Sequence, residues 1–195
     1  MFGYSARYDA ALTLAARAHR YQTRKGSDIP YIVHPVQVSV ILLRHGFAED
    51  VLLAGLLHDV VEDQDVPLAQ IEAGFGPSVA AAVAALTERK KEGDMPRPWR
   101  DRKQEALSQL RQASRAALAV KAADVTHNAR TLTADLQRQG LALWEHYARG
   151  PEDTLWYMGQ VAEIVRRGLQ AHPLVREMEA AIEDLAQTIA RTEAR

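Results

Sequence analysis

The chain has 195 residues, of which 47% are hydrophobic, so it is long enough to bury the core of one compact domain, with at most a terminal appendage. Its 24 basic and 25 acidic residues nearly cancel, which excludes a global charge that would attract nucleic acid or an anionic membrane. The absence of cysteine excludes disulfides, thiol nucleophiles and cysteine-rich zinc sites, and it is compatible with a reducing cytoplasm.

The amino-terminal segment predicts an amphipathic helix. Charged residues interrupt its apolar pattern, so it is neither a signal peptide nor a membrane span, and we expect a cytoplasmic protein. Ser5 is the expected N-cap, and the helix should end near Arg20. Its inner face is expected to comprise Ala11, Leu12, Ala15 and Ala16.

A basic loop, "YQTRKGSDIPYIV", follows this helix. The next helix should open at His34-Pro35, because proline suits a first helical position, and should stop near Gly46. Residues 49–63, "EDVLLAGLLHDVVED", predict one strongly apolar third helix. The stretches "PLAQIEAGFG" and "PSVAAAVAALTE" predict two further helices.

Residues 87–103 combine glycine, prolines and dense charge, which predicts an exposed loop and the best candidate for a lid. A long helix should start near Ser114, and further helices are expected at 141–149, 151–170 and 173–193. The last carries an apolar stripe that would dock either on the core or on a second subunit. Since no segment has convincing strand character, the pattern predicts an all-α protein.

The segment "LLHDVVED" places four ionisable groups within an apolar helical run, where an unpaired buried charge is costly. On one helix, His58 and Glu62 are i and i+4, as are Asp59 and Asp63, so the four groups share a face. A divalent cation would neutralise these acids, and imidazole with carboxylate suits such an ion. The alternative is a helix end whose acids face water, with His58 a buried structural histidine.

Two other segments contribute candidate metal ligands. His34 precedes Pro35 at the start of a helix, where its side chain can project from the end of the bundle. Asp124 lies within the apolar run "ALAVKAADVTHNA". The alternative for Asp124 is a simple ion pair with Lys121 or Arg130.

Together these motifs resemble the HD-domain metal-dependent phosphohydrolases, whose pattern is H…HD…D. The stretches "HRYQTRKGSDIPYIVHP", "GLLHDVVEDQ", "FGPSVAAAVAALTE" and "VKAADVTHNARTL" are most similar to the hydrolase domain of the RelA/SpoT group and its free-standing small alarmone hydrolases. The resemblance implies an all-α HD-domain bundle of about ten helices. It also implies one domain over 1–195, with its core at about 5–160 and the helices of 161–195 appended to the core or to a partner.

The resemblance implies one metal ion per chain, commonly Mn²⁺, bound by His34, His58, Asp59 and Asp124. It also implies that Glu62 and Asp63 activate and position the attacking water, without deciding which acid accepts the proton. The chemistry agrees, because two imidazoles and two carboxylates leave open positions on an octahedral cation. A carboxylate close to the water can then act as a general base.

Cationic and polar residues complete the expected site. By resemblance, Arg24 and Lys25 clamp phosphates or stack on a base, while Asn128, one helical turn after Asp124, contacts the nucleoside. Lys103 and Arg100 are expected to close over the phosphates, and Tyr147 to line the nucleoside pocket or pack in the core. Lys90 and Lys91 are expected to face solvent, and the histidines expected to be structural are His19, His45, His127, His146 and His172.

The function implied is hydrolysis of the 3′-diphosphate of guanosine alarmones, (p)ppGpp, to GDP or GTP plus pyrophosphate. The expected partner is a small guanine nucleotide, with neither nucleic acid nor membrane. A homodimer is the alternative to core docking for the apolar stripe of the last helix, and the sequence favours neither. The alternatives are a phosphatase acting on the 2′-phosphate of NADPH or on a nucleoside monophosphate, and a non-catalytic nucleotide sensor. Ala122 and Val125 depart from the family's "KLADR" pattern, which puts the substrate preference in doubt.

Overall fold

The computed structural model describes residues 5–194, and almost all of its regular structure is helical. This confirms the all-α prediction. Within the described residues the α-helices are α1 (Ala6–Ala18), α2 (Val33–Arg44), α3 (Glu49–Leu57), α4 (Val60–Gln64), α5 (Leu68–Phe75), α6 (Pro77–Ala84), α7 (Trp99–Arg111), α8 (Arg115–Gln139), α9 (Pro151–Leu169) and α10 (Pro173–Glu193). A 3-10 helix spans Gly140–His146.

Helices α3 and α8 form the centre of the bundle. Every residue of α3 from Leu52 to Leu57 is buried, and α8 packs against α2, α3, α9 and α10. Small residues such as Ala119 and Ala123 on α8 are fully buried and let neighbouring helices approach closely. The polar groups that do lie on α8 and on the end of α3 are therefore held by rigid, closely packed elements.

The amino-terminal helices begin close to the predicted positions. Ser5 caps α1, because its side chain accepts a hydrogen bond from the backbone N–H of Tyr8. The expected inner-face residue Ala16 is exposed, so that part of the prediction is wrong. Helix α2 begins at Val33, so Pro35 occupies the third helical position instead of the first.

The predicted continuous helix over 49–63 is wrong, because the chain breaks at His58 and Asp59. Helix α3 ends at Leu57, and α4 begins at Val60. Asp59 keeps a helix-like backbone (φ −100°, ψ −9°), and its carbonyl accepts the N–H of Asp63. Because of the break, the side chains of the adjacent His58 and Asp59 point into the same site. The side chains of consecutive residues in a regular helix diverge by about 100°.

The predicted loop over 87–103 is partly regular. It contains a two-stranded antiparallel hairpin, β1 (Lys91–Glu92) and β2 (Met95–Pro96), and its last residues belong to α7. Helix α7 was not predicted. Its dense charge hides a narrow apolar face, in which Leu107 and Leu110 are the buried residues.

Helix α10 packs along α8 and α9 within the same chain. Of its apolar stripe, Leu174, Met178 and Leu185 are fully buried, so the stripe docks on the core instead of on a second subunit. The assignment of 1–195 to one domain stays a prediction. Among residues 5–194, no helix combines the length and apolar character that crossing a membrane requires.

Candidate active site

The ends of α2 and α3 and the middle of α8 bring two histidines and two aspartates together. His34 Nε2 lies 3.3 Å from His58 Nε2 and 3.3 Å from Asp124 Oδ1. Asp59 Oδ2 lies 3.1 Å from His58 Nε2 and 3.5 Å from His34 Nε2. Ligand atoms bound at about 2.1 Å to one first-row divalent ion lie about 3 to 4 Å apart, so the spacing of His34, His58 and Asp59 suits a shared cation. Asp124 borders this group, with Oδ1 also 3.9 Å from His58 Nε2.

His58 is oriented for this site by its own helix. Its Nδ1 lies 2.8 Å from the carbonyl oxygen of Gly55, to which Nδ1–H donates, so Nε2 faces the cluster. Burial lowers the pKa of His58, but the Asp59 and Asp124 carboxylates and the Gly55 carbonyl together outweigh burial and raise it to about 9. Two ring nitrogens facing each other among carboxylates require a proton or a cation between them, and this donor set fits a divalent metal.

Asp124 is the most heavily engaged member of the cluster. Its Oδ2 accepts from Lys121 Nζ at 2.8 Å, and its Oδ1 accepts from Asn128 Nδ2 at 2.6 Å. Burial raises the pKa of Asp124, but Lys121 and the histidines hold it well below its usual range. Asp124 thus forms the ion pair with Lys121 that was the alternative role for it, and it also contacts His34.

Two further side chains orient the cluster from outside. The Tyr31 hydroxyl donates to Asp59 Oδ2 at 2.6 Å. His127 Nδ1 lies 2.8 Å from His34 Nδ1, and burial, with the nearby His34 ring and a guanidinium, lowers the pKa of His127 to about 3. A neutral His127 accepts the Nδ1–H of His34, which leaves His34 Nε2 free to act as a ligand. His127, expected to be a structural histidine, thus contacts the proposed ligand His34 directly.

Glu62 and Asp63, on α4, lie beside this cluster with their side chains 18% exposed. Glu62 Oε2 accepts the backbone N–H of Glu88 at 2.9 Å. Burial raises the pKa of Glu62. Lys90 is exposed, as expected, with 42% of its side chain accessible. It also places Nζ 2.5 Å from Asp63 Oδ1 and 3.2 Å from Glu62 Oε1, so it borders the site.

A pocket of about 550 Å³ opens over the cluster and has the volume that a nucleotide-sized ligand needs. Arg24 donates to Asn128 Oδ1 at 2.9 Å and thereby joins the amino-terminal loop to α8. Lys25 Nζ lies 5.3 Å from the centre of the Tyr147 ring, and burial lowers the pKa of Lys25. All four of these predicted residues, Arg24, Lys25, Asn128 and Tyr147, line the pocket.

The start of α7 supplies a second cationic wall. Lys103 lines the pocket, pairs with Glu88 and lies 4.5 Å from the centre of the Tyr157 ring. Arg100, which was expected to act with Lys103, instead stacks over Trp156 and pairs with Asp153 outside the pocket. Arg102, and not Arg100, lines the pocket beside Lys103, and it pairs with Glu88 at 3.2 Å.

The helical fold and the His-His-Asp cluster are typical of HD-domain proteins, and comparison with known proteins gives the same class. The chain belongs to the HD domain family, which matches residues 11–149.

Its relatives include named alarmone hydrolases. The chain is 40% identical over 125 residues to the guanosine-3′,5′-bis(diphosphate) 3′-pyrophosphohydrolase MESH1 of Homo sapiens, a match covering 63% of this chain and 67% of the human protein. It is 37% identical to the bifunctional (p)ppGpp synthase/hydrolase SpoT of Escherichia coli, but the match covers only 17% of SpoT.

Solved structures extend the likeness to most of the chain. A metazoan ortholog of SpoT, described as hydrolysing ppGpp, superposes with a TM-score of 0.76 at 27% identity and covers 94% of this chain and 97% of its own. The protein lmo0812 of Listeria monocytogenes superposes with a TM-score of 0.68 at 33% identity, covering 77% of this chain. The resemblance to small alarmone hydrolases is thus confirmed.

Proposed function

We propose that this chain hydrolyses the 3′-diphosphate of guanosine alarmones, releasing pyrophosphate and leaving GDP or GTP. The observation that carries the proposal is the convergence of two imidazoles and two carboxylates beside the Glu62–Asp63 pair. The likeness to MESH1 and to the metazoan ortholog of SpoT supports the same substrate class. The cytoplasmic location stays a prediction, as does the homodimer that the sequence left as an alternative.

The four ligands would hold one divalent ion, for which Mn²⁺ is the proposed identity. The mixture of imidazole and carboxylate donors suits this borderline-hard cation. Bound there, a divalent ion would lower the pKa of water and neutralise charge that develops on the phosphoryl oxygens. His34 and His58 would serve as its neutral donors, and Asp59 and Asp124 would balance its charge.

The chain's own groups then handle the proton and the substrate. The Glu62–Asp63 pair accepts the proton of the attacking water and orients that water towards phosphorus. Arg24 and Lys25 are the proposed contacts of the nucleotide on one side, and Lys103 of its phosphates on the other. Asn128 and Tyr147 are proposed to contact the nucleoside.

Incubation of the purified protein with Mn²⁺ and a panel of nucleotides tests the proposal. The panel contains ppGpp, pppGpp, NADPH and nucleoside monophosphates, with products identified by mass spectrometry. The expected result is release of pyrophosphate from ppGpp and pppGpp. Release of orthophosphate from NADPH or a monophosphate would instead favour the general phosphatase, and binding without turnover would favour the sensor.

His127→Leu is expected to weaken Mn²⁺ binding by roughly 10- to 100-fold, because His34 loses the acceptor that holds its Nδ1–H. His127→Gln keeps an acceptor and is expected to retain most of the affinity. Isothermal titration with Mn²⁺ measures both variants. Equal affinity of His127→Leu and the wild type would contradict an orienting role for this histidine.

Mn²⁺ affinity is expected to rise with pH. Since the pKa of His58 is about 9 without metal, a proton occupies the ligand nitrogen below that pH and must leave when the ion binds. The apparent affinity should increase roughly tenfold per pH unit from about pH 6.5 to about pH 8.5 and then level off. Titrations in buffers of different ionisation enthalpy measure the released proton directly, and pH-independent affinity would contradict the assignment.

A further inference from the structure

Gln22 lies outside the proposed catalytic machinery, yet its side chain contacts one of the two acids. It lies in the loop between α1 and α2, half-buried, and its Nε2 donates to Asp63 Oδ2 at 3.0 Å. Its Oε1 lies 2.6 Å from His19 Nδ1 and 2.6 Å from Gln64 Nε2. Gln22 thus connects His19, at the end of α1, to Asp63 and Gln64 on α4.

These contacts allow only one orientation of the Gln22 amide. The Asp63 carboxylate accepts hydrogen bonds, so the NH₂ group of Gln22 must face it. The amide oxygen then points away and receives donors from His19 and Gln64. His19 must therefore carry its proton on Nδ1. If the amide were reversed, Gln22 Oε1 would face the Asp63 carboxylate, and the two oxygens would repel each other.

The backbone around Gln22 is also held on both sides. The Gln22 N–H donates to the His19 carbonyl at 3.0 Å, and the Gln22 carbonyl accepts the N–H of Tyr31 at 2.8 Å. His19 is only 1% exposed, and its Nε2 is buried with no hydrogen-bond partner among the described residues. An unsatisfied buried nitrogen is costly, and an apolar side chain would avoid that cost. What this imidazole provides here is the hydrogen bond from Nδ1 to Gln22.

The other side-chain contact of Asp63 is with Lys90, which lies in an exposed segment. Lys90 donates to Asp63 Oδ1 at 2.5 Å from the segment that leads into the exposed hairpin, and the same ammonium lies 3.2 Å from Glu62. Anionic phosphates in the pocket compete for a half-exposed lysine, whereas a neutral amide fixed to the body of the domain does not respond to them. A phosphate that drew Lys90 away would therefore leave the contact between Asp63 and Gln22 in place.

Resting on the proposed function, we infer that Gln22, braced by His19 and Gln64, is a positioning residue that fixes the rotamer of Asp63. Asp63 then orients the hydrolytic water, and Glu62 accepts its proton. The contacts of Glu62 are the backbone N–H of Glu88 and the half-exposed ammonium of Lys90, with no side-chain amide comparable to Gln22 among its contacts in the described residues. The two acids thus have different roles. The sequence alone does not decide which acid accepts the proton.

Kinetics of Gln22→Met and Gln22→Glu test the inference. Met removes the donor at similar length and is expected to lower kcat by roughly 10- to 50-fold with KM nearly unchanged. Glu sets a carboxylate against Asp63 and is expected to lower kcat further, by roughly 100-fold or more. Mn²⁺ affinity should stay close to that of the wild type, because no proposed ligand changes. Tm should fall in Gln22→Met, because the buried His19 Nδ1 loses its acceptor. Gln70→Met, an exposed glutamine on α5, is the matched control with unchanged kcat.

A double-mutant cycle separates positioning from general damage. If Gln22 acts through Asp63, Gln22→Met should lower kcat less than about twofold in an Asp63→Ala background. Equal losses in both backgrounds would overturn the inference. A crystal structure of Gln22→Met is an independent readout, since Asp63 should leave its wild-type rotamer and an unmoved Asp63 would overturn the inference. If the wild type hydrolyses no nucleotide, the proposed function fails, and this rotamer alone decides whether Gln22 positions Asp63.

Discussion

His58→Ala is expected to abolish both divalent-cation binding and pyrophosphate release. His58 Nε2 lies 3.3 Å from His34 Nε2 and 3.1 Å from Asp59 Oδ2, so alanine removes the donor at the centre of the proposed ligand set. It also removes the imidazole that neutralises Asp59 in the metal-free protein, whereas Asp124 keeps its ion pair with Lys121. The loss of activity should be roughly a thousandfold or more, because the Lewis acid and its water are lost together.

Release of pyrophosphate from ppGpp and titration with Mn²⁺ measure this loss. His146→Ala is the matched control, since His146 is exposed and does not line the pocket. Circular dichroism checks that both variants keep their helical content. Full activity of His58→Ala would exclude the metal site described above as the catalytic centre.

Lys121→Met is expected to destabilise the metal-free protein by about 3 to 5 kcal/mol, the usual cost of removing one partner from a buried ion pair. Lys121 Nζ lies 2.8 Å from Asp124 Oδ2, and the two side chains are only 16% and 10% exposed. Burial lowers the pKa of Lys121, but Asp124 raises it well above its usual value, so the lysine is charged. Methionine has similar length and leaves the Asp124 charge with less compensation.

The same substitution should cost much less when Mn²⁺ is saturating, because a divalent ion supplies positive charge to the same carboxylate. Urea unfolding in EDTA and in excess Mn²⁺ measures both values. Lys91→Met, an exposed residue of β1, is the control and should change stability by less than about 0.5 kcal/mol. Equal destabilisation with and without metal would show that Asp124 does not contact the ion.

Much of the helical architecture could be predicted because its signals are local. Ser5 and Ser114 cap α1 and α8 as expected, and α9 and α10 begin at their predicted prolines. Helix α7 was missed, because its charged residues conceal the few positions that pack. The break between α3 and α4 was missed for a related reason. His58 and Asp59 keep helical dihedral angles, and neither glycine nor proline marks the end of α3.

The candidate ligands could be named from the sequence because each has a recognisable neighbour: a proline after His34, the adjacent pair His58-Asp59, and an apolar helix around Asp124. No comparable local signal marks the residues that hold the ligands and acids in place. Tyr31, Lys90 and His127 lie among loop or helix residues of ordinary composition.

The sequence alone determined the order of the helices, the all-α class and the residue types available for metal and phosphate chemistry, because these depend on neighbours within a few positions. Only the tertiary structure decided which groups meet. Contacts such as His34 to His127 and Gln22 to Asp63 join residues 93 and 41 positions apart. Such contacts depend on how α2, α4 and α8 pack, and side-chain packing across helices leaves no periodic pattern in the sequence.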